Sequence, residues 1–249
     1  MTGTPRTDGL LLALESSGAV GSVAVGRPGV APRCRILLEE RRQHAARLVP
    51  AVGEALEAAG VSMGELAGVV VGQGPGSFTG VRVAAATAKG LVHALRIPLW
   101  PVSSMAAAAV GPGWDEEGAD AGEEGAPGGG GAVRYVLFDA RGDRIYAACY
   151  RVGPSSVEAL VPPRAGTLGR IMTPPPPAGA VFAGTGARRH RERITAAGFP
   201  VAPAPCGDPG AAGLLRWLGL DRGAAPADDP GLWEPTYLRS GSARPTPGR

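Results

Sequence analysis

What most constrains the fold of this chain is an order of elements that occurs twice. Residues 10–14 form an apolar run that ends at Glu15. The turn formers Ser16-Ser17-Gly18 follow, and then a second short apolar run at 22–25. The same order returns later. A strand-like run at 135–138 ends at Asp139, and Ala140-Arg141-Gly142-Asp143 leads into the run 145–150. Each acid-ended hairpin is followed further on by a strand, a Gly-rich turn and a helix. In the first half these are 69–71, 72–80 and 81–95; in the second, 181–183, Gly184-Thr185-Gly186 and 188–197.

Two copies of one α/β unit facing a cleft is the plan of the actin, Hsp70 and sugar-kinase (ASKHA) folds, whose hairpins grip phosphate and metal. Two ordinary α/β halves with coincidental turns fit the pattern equally. The expected fold is thus α/β, and the pattern leaves open whether its halves form a duplicated actin-like arrangement with two lobes. Its expected divisions are a lobe at 9–110, a linker at 111–131, a second lobe at 132–239 and a disordered tail at 240–249. Within the first lobe, 26–35 reads as a loop, and 36–40 and 97–102 as strands. His44–Ala59 reads as a helix, with Leu48, Val52, Leu56 and Ala59 on one face. Pro50 inside it is expected to kink the helix or shift its start. Later, 174–177 reads as a stiff polyproline loop and 211–218 as a helix.

Composition enters at the linker. Residues 111–131 hold nine glycines, six acids and no basic residue, a make-up with little to bury. Elsewhere the 249 residues suffice for a core, and no apolar run reaches the ~18 residues that span a bilayer. The polar first nine residues lack the apolar stretch of a signal peptide, so a cytoplasmic protein is expected. Cys34, Cys149 and Cys206 form no CxxC and read as isolated thiols. The net charge of +3 is small and spread out. Its densest run, Arg188-Arg189-His190-Arg191, reads as a solvated helix face rather than a nucleic-acid contact.

The loop 72–80 is the strongest local signal, because glycines followed by a helix N-terminus suit an anion. Yet GxxxxGK[ST] is absent and Thr79 stands where GxGxxG requires glycine. A structural turn with Thr79 as helix cap competes with phosphate contact. His44, His93 and His190 supply no HxxxH, so neither a metal nor a cofactor is expected. No GxSxG occurs. Glu15 and Asp139 are weak candidates for a cofactor-binding carboxylate pair facing the cleft.

Gly74-Pro75-Gly76-Ser77-Phe78-Thr79-Gly80-Val81-Arg82, followed by Ala88-Lys89-Gly90-Leu91, closely resembles the signature of the TsaB (YeaZ) family. The opening hairpin resembles that family's, with Glu15 where Asp is usual. So do His44-Ala45-Ala46-Arg47-Leu48-Val49-Pro50, the hairpin from Asp139 to Tyr146, and Pro235-Thr236-Tyr237-Leu238-Arg239. The resemblance implies the actin-like fold and a non-catalytic subunit for N6-threonylcarbamoyladenosine at position 37 of tRNAs reading ANN codons. It implies a TsaD-type catalytic partner, a TsaE-type ATPase, tRNA reached through the complex, and a homodimer when the partner is absent. On that resemblance His44, Arg47, Leu48, Ala51, Ala85 and Lys89 are the expected partner interface. The acidic linker and the insertion near 28–35 depart from the family pattern. The rival expectations are a nucleotide-using small-molecule kinase of the same fold and a purely structural homodimer module.

Overall fold

The computed structural model describes residues 8–39, 44–114, 131–221 and 224–238. Two mixed sheets carry the fold. In the first, β1 (Leu11–Glu15), β2 (Gly21–Gly26) and β3 (Cys34–Leu38) form an antiparallel meander. β4 (Gly68–Gly72) and β5 (Leu99–Val102) continue it in parallel on the other side of β1, giving the order β3-β2-β1-β4-β5. In the second, β6 (Ala132–Asp139), β7 (Ile145–Val152) and β8 (Val157–Gly166) form the meander. β9 (Val181–Ala183) runs parallel to β6, giving β8-β7-β6-β9. A parallel bridge from Phe182 to Val201 takes the place that β5 has in the first sheet. The order read twice in the sequence is thus the same topology built twice.

Burial on both faces explains the unbroken apolar runs of β1 and β4. Leu12 and Leu14 pack on α1 (His44–Ala59) and α2 (Phe78–Leu95), while Leu11 and Ala13 pack on α7 (Ala211–Leu220). In the second sheet, Tyr135 and Leu137 pack on α4 (Leu168–Ile171), α5 (Thr185–Arg189) and α6 (Arg191–Ala196). Val136 and Phe138 pack on the opposite side against α3 (Ser104–Val110), every residue of which is buried. Because Ala107 of α3 reaches the first sheet, α3 and α7 form a middle layer between the two sheets. Among the described residues no helix is long and apolar enough to cross a membrane.

Several expectations need correction. β3 begins at Cys34, inside the expected loop, because Cys34 pairs with Val25; Glu40 lies outside the described residues. α2 begins at Phe78, and its cap is Ser77 rather than Thr79: the Gly80 N–H donates to the Ser77 hydroxyl at 3.3 Å. Pro50 does not interrupt α1; the Ala46 carbonyl it leaves unpaired belongs to an exposed residue that water can satisfy. The helix expected at 188–197 is two short helices meeting at His190. α3 has no polar face to give a period, and β8 carries Pro162-Pro163 as an edge strand permits, so neither element is legible in the sequence.

Trp114, expected within the linker, packs into the fold instead. Trp114 is only 2% exposed, packed with Val181, Ala183, Ala202 and Cys206. Its indole N–H donates to the Ala108 carbonyl at 2.9 Å, and the Arg134 guanidinium sits 4.5 Å from its ring centre. One large aromatic outweighs the composition around it. The rest of the expected linker, 115–130, and the tail lie outside the described residues. The expected second lobe, 132–239, does not pack as one unit either, because α7 returns to cover the first sheet.

Candidate functional site

The Gly-rich loop leads from β4 into α2, where it meets the turn that closes the first hairpin. The Ser77 N–H donates to the Ser17 carbonyl at 2.8 Å, and the Ser16 hydroxyl donates to the Gly80 carbonyl at 2.7 Å. From the other side, the Gly74 N–H donates to the Ser104 hydroxyl at 3.1 Å. A Cβ on Gly80 would run into the Ser16 carbonyl oxygen, and one on Gly72 into the Glu15 carboxylate. These glycines therefore allow the chain to close on itself. The Ser77 N–H is taken up by the hairpin, the Gly74 N–H by Ser104 and the Gly80 N–H by the Ser77 hydroxyl, which favours the structural turn over a phosphate cradle.

Glu15 lies beneath this junction, fully buried. The Ser17 N–H donates to its Oε1 at 2.7 Å, while Oε2 has no hydrogen-bond partner among the described residues. Burial pushes its carboxyl above the usual carboxylate range, and the Ser17 N–H offsets part of that. Asp139 stands elsewhere, exposed on the wall of a cleft of about 930 Å³ that Glu15 does not line. Its Oδ1 accepts from Arg189 at 2.7 Å and from the Arg141 N–H at 3.1 Å. The expected carboxylate pair is therefore not brought together in the cleft: one acid is sequestered and the other is engaged by arginine.

The cleft runs between the two hairpin turns, lined by Ser17, Thr79, Asp139, Thr185 and Arg188 among others. The basic run 188–191, expected on a solvated face, is exposed at Arg189 and Arg191 and half-buried at Arg188 and His190, and its arginines bond within the chain. Arg188 pairs with Asp208 and also donates to the Cys206 carbonyl at 3.1 Å. Arg191 donates to the Val201 carbonyl at 2.9 Å. Burial pushes the Asp208 carboxyl up, partly offset by Arg188. Among the described residues no group of His, Cys, Asp and Glu is arranged to hold a metal ion. Burial raises the Cys149 thiol to about 12, so it stays protonated at neutral pH and makes a poor nucleophile.

A second surface lies on α1 and α2. Of the expected interface residues, Leu48 and Ala51 are fully buried against their own sheet, which corrects their assignment to an outer surface. Arg47 is exposed and pairs with Glu54 at 2.9 Å. The His44 side chain lies outside the described residues. Ala85 is 5% exposed. The Lys89 ammonium donates to the Gly231 carbonyl at 2.9 Å, 6.0 Å from the Trp233 ring centre. Residues 229–238 thus run along α2. Farther along, Arg82 donates to the Tyr237 hydroxyl at 3.1 Å, and the Phe78 and Tyr237 rings lie 5.4 Å apart. The resemblance at 235–239 marks part of this strap, but nothing in the sequence places it on α2; Trp233 and Tyr237, aromatics among Pro and Gly, are the other signal.

The family model for TsaD, tRNA N6-adenosine threonylcarbamoyltransferase, matches residues 29–204. The tRNA threonylcarbamoyladenosine biosynthesis protein TsaB of Haemophilus influenzae is 37% identical over 99 residues, 40% of this chain and 41% of that protein. The chain thus matches about two fifths of the length of that curated relative. An uncharacterized protein of Mycobacterium tuberculosis is 34% identical over 206 residues, 83% of this chain and 80% of that one. The solved structure of YeaZ from Pseudomonas aeruginosa superposes with a TM-score of 0.73 at 30% identity. It covers 92% of this chain and 100% of that one.

Proposed function

The chain belongs to the TsaB (YeaZ) family, and from that premise we propose that it is a non-catalytic subunit in the formation of N6-threonylcarbamoyladenosine at position 37 of tRNAs reading ANN codons. It acts by pairing with a TsaD-type catalytic subunit, with a TsaE-type ATPase joining the assembly and tRNA reached through the complex. The observation that carries this reading is the closed signature loop. Gly76, Ser77 and Gly80 close on the hairpin turn at Ser16 and Ser17, and Gly72 lies against the buried Glu15, so the residues that resemble the family most strongly build a scaffold rather than a reaction centre. The names of the TsaB relatives supply the pathway. The shared strand order of the two sheets supports a duplicated actin-like, two-lobed fold.

The partner surface proposed is the α1–α2 face, read through Arg47, Ala85 and Lys89, with His44 at the start of α1. A homodimer on the same face, formed when the partner is absent, and a cytoplasmic location complete the proposal. The test is reconstitution. The TsaD-type subunit of the same organism, with its ATPase, tRNA and substrates, is expected to form the modified nucleoside only when this chain is added. The chain alone is expected to form none. Product from the chain alone, or full activity without it, would overturn the reading.

The cleft favours a second reading, a nucleotide-using enzyme, because Arg35, Arg141 and Arg188 stand around about 930 Å³ of open space. Calorimetric titration with ATP separates the two. Tight binding with turnover by the isolated chain supports the kinase.

A further inference from the structure

Residues 229–238 lie along the helix face on which the proposed partner would dock. We infer that this strap is a displaceable cover, closed over α2 in the free chain and lifted when the TsaD-type subunit binds. The inference rests on the reading above that the α1–α2 face receives that subunit.

The strap's course follows from its anchors. Gly231 sits at Lys89 and Tyr237 sits at Arg82 and Phe78, so the strap runs antiparallel to the helix. Ala85 is three residues after Arg82 and four before Lys89, on the stripe between the anchors, and it is only 5% exposed. The contacts are of the kind that open. Both side-chain anchors are exposed to water, where hydrogen bonds and charge contacts contribute little net stability. The strap has neither helix nor strand. One backbone bond, from the Thr236 N–H to the Gln73 carbonyl at 3.0 Å, ties its far end. Trp233 alone reaches the core of the first sheet, and it does so half-buried. Leu232 beside it is 80% exposed.

The cover therefore satisfies Arg82, Lys89 and Phe78 with a carbonyl, a phenol and two rings. A partner segment able to replace it must offer the same chemistry, an extended or helical stretch with an aromatic and free acceptors. A cover that is mostly closed weakens apparent binding by the fraction of time it is open. Changes on the strap, away from α2, then tighten the complex.

Hydrogen exchange of the full chain, alone and with the TsaD-type subunit, tests this together with affinities of the wild type and Tyr237→Ala. Exchange at 229–238 is expected to rise on binding while α2 becomes protected, and Tyr237→Ala is expected to bind about tenfold tighter. Trp233→Ala should act in the same direction; its circular dichroism and melting curve show whether the fold survives. If 229–238 becomes protected along with α2, or Tyr237→Ala binds equally or more weakly, the partner sits on top of the strap and the cover is wrong. If the subunit binds and protects neither α1 nor α2, or does not bind, the proposed function's surface fails first and the cover falls with it.

Discussion

At the scale of single residues, Glu15 shows how burial turns a candidate cofactor-binding acid into a structural one. Its folded carboxyl titrates above the ordinary value because burial disfavours the charged form. The folded state therefore binds the proton more tightly than the unfolded state. Stability from this group is fully present below the unfolded value near 4.5 and is lost as pH rises through the folded one. Glu15→Gln, which keeps the shape and removes the charge, is expected to melt at a higher temperature than wild type at pH 8. The gap should close as pH falls below 4.5; thermal melts across that range decide it. Gly80→Ala tests the neighbouring close approach. Its methyl must push on the Ser16 backbone, so a loss of about 1–3 kcal/mol is expected in denaturant unfolding.

At the scale of elements, α1 and α2 share a first sheet but differ in what covers their other sides. Leu48 of α1 points into the core, whereas Val49 next to it is 62% exposed. Leu48→Ala is expected to destabilise the isolated chain by about 2–5 kcal/mol, and Val49→Ala to leave its stability within about 0.5 kcal/mol. Equal effects in chemical denaturation would place the helix faces wrongly. The segment after α3 is an element in its own right, although its glycines hide it. Trp114→Ala removes a buried indole and the face under Arg134, and is expected to cost about 3–5 kcal/mol. A melting temperature unchanged by that substitution would show that the stretch beyond Val110 is only a tether.

At the scale of the molecule, α3 and α7 hold two sheets of the same topology together from the middle, and the stretch 224–238 returns to the first sheet. The Ala227 N–H donates to the Leu99 carbonyl at 2.8 Å, and from there the strap turns onto α2. The last residues described thus finish the surface that the first helices began. Ala85→Arg places a long cation under the strap. It is expected to free 229–238 to exchange and to weaken both the partner complex and the homodimer by tenfold or more, with circular dichroism unchanged. Sedimentation of the variant, alone and mixed with the partner, checks both losses.

The sequence by itself determined the repeat, most of the strands, α1 to the residue, and the signature loop with its family. Those features are local: an apolar period, a turn residue or a fixed spacing marks each one within a dozen positions. Tertiary structure decided the rest. α3 carries no periodic signal because it is buried all round, and Trp114 is read as linker until its distant partners are known. Leu48 and Ala51 look the same whether their helix faces a sheet or another protein, and only the sheet beneath them settles which. Glu15 and Asp139 hold matching places in the two hairpins. One is sealed by a loop some sixty residues away and the other meets an arginine fifty residues on. Such pairings depend on how the chain returns through space, and no spacing along it records them.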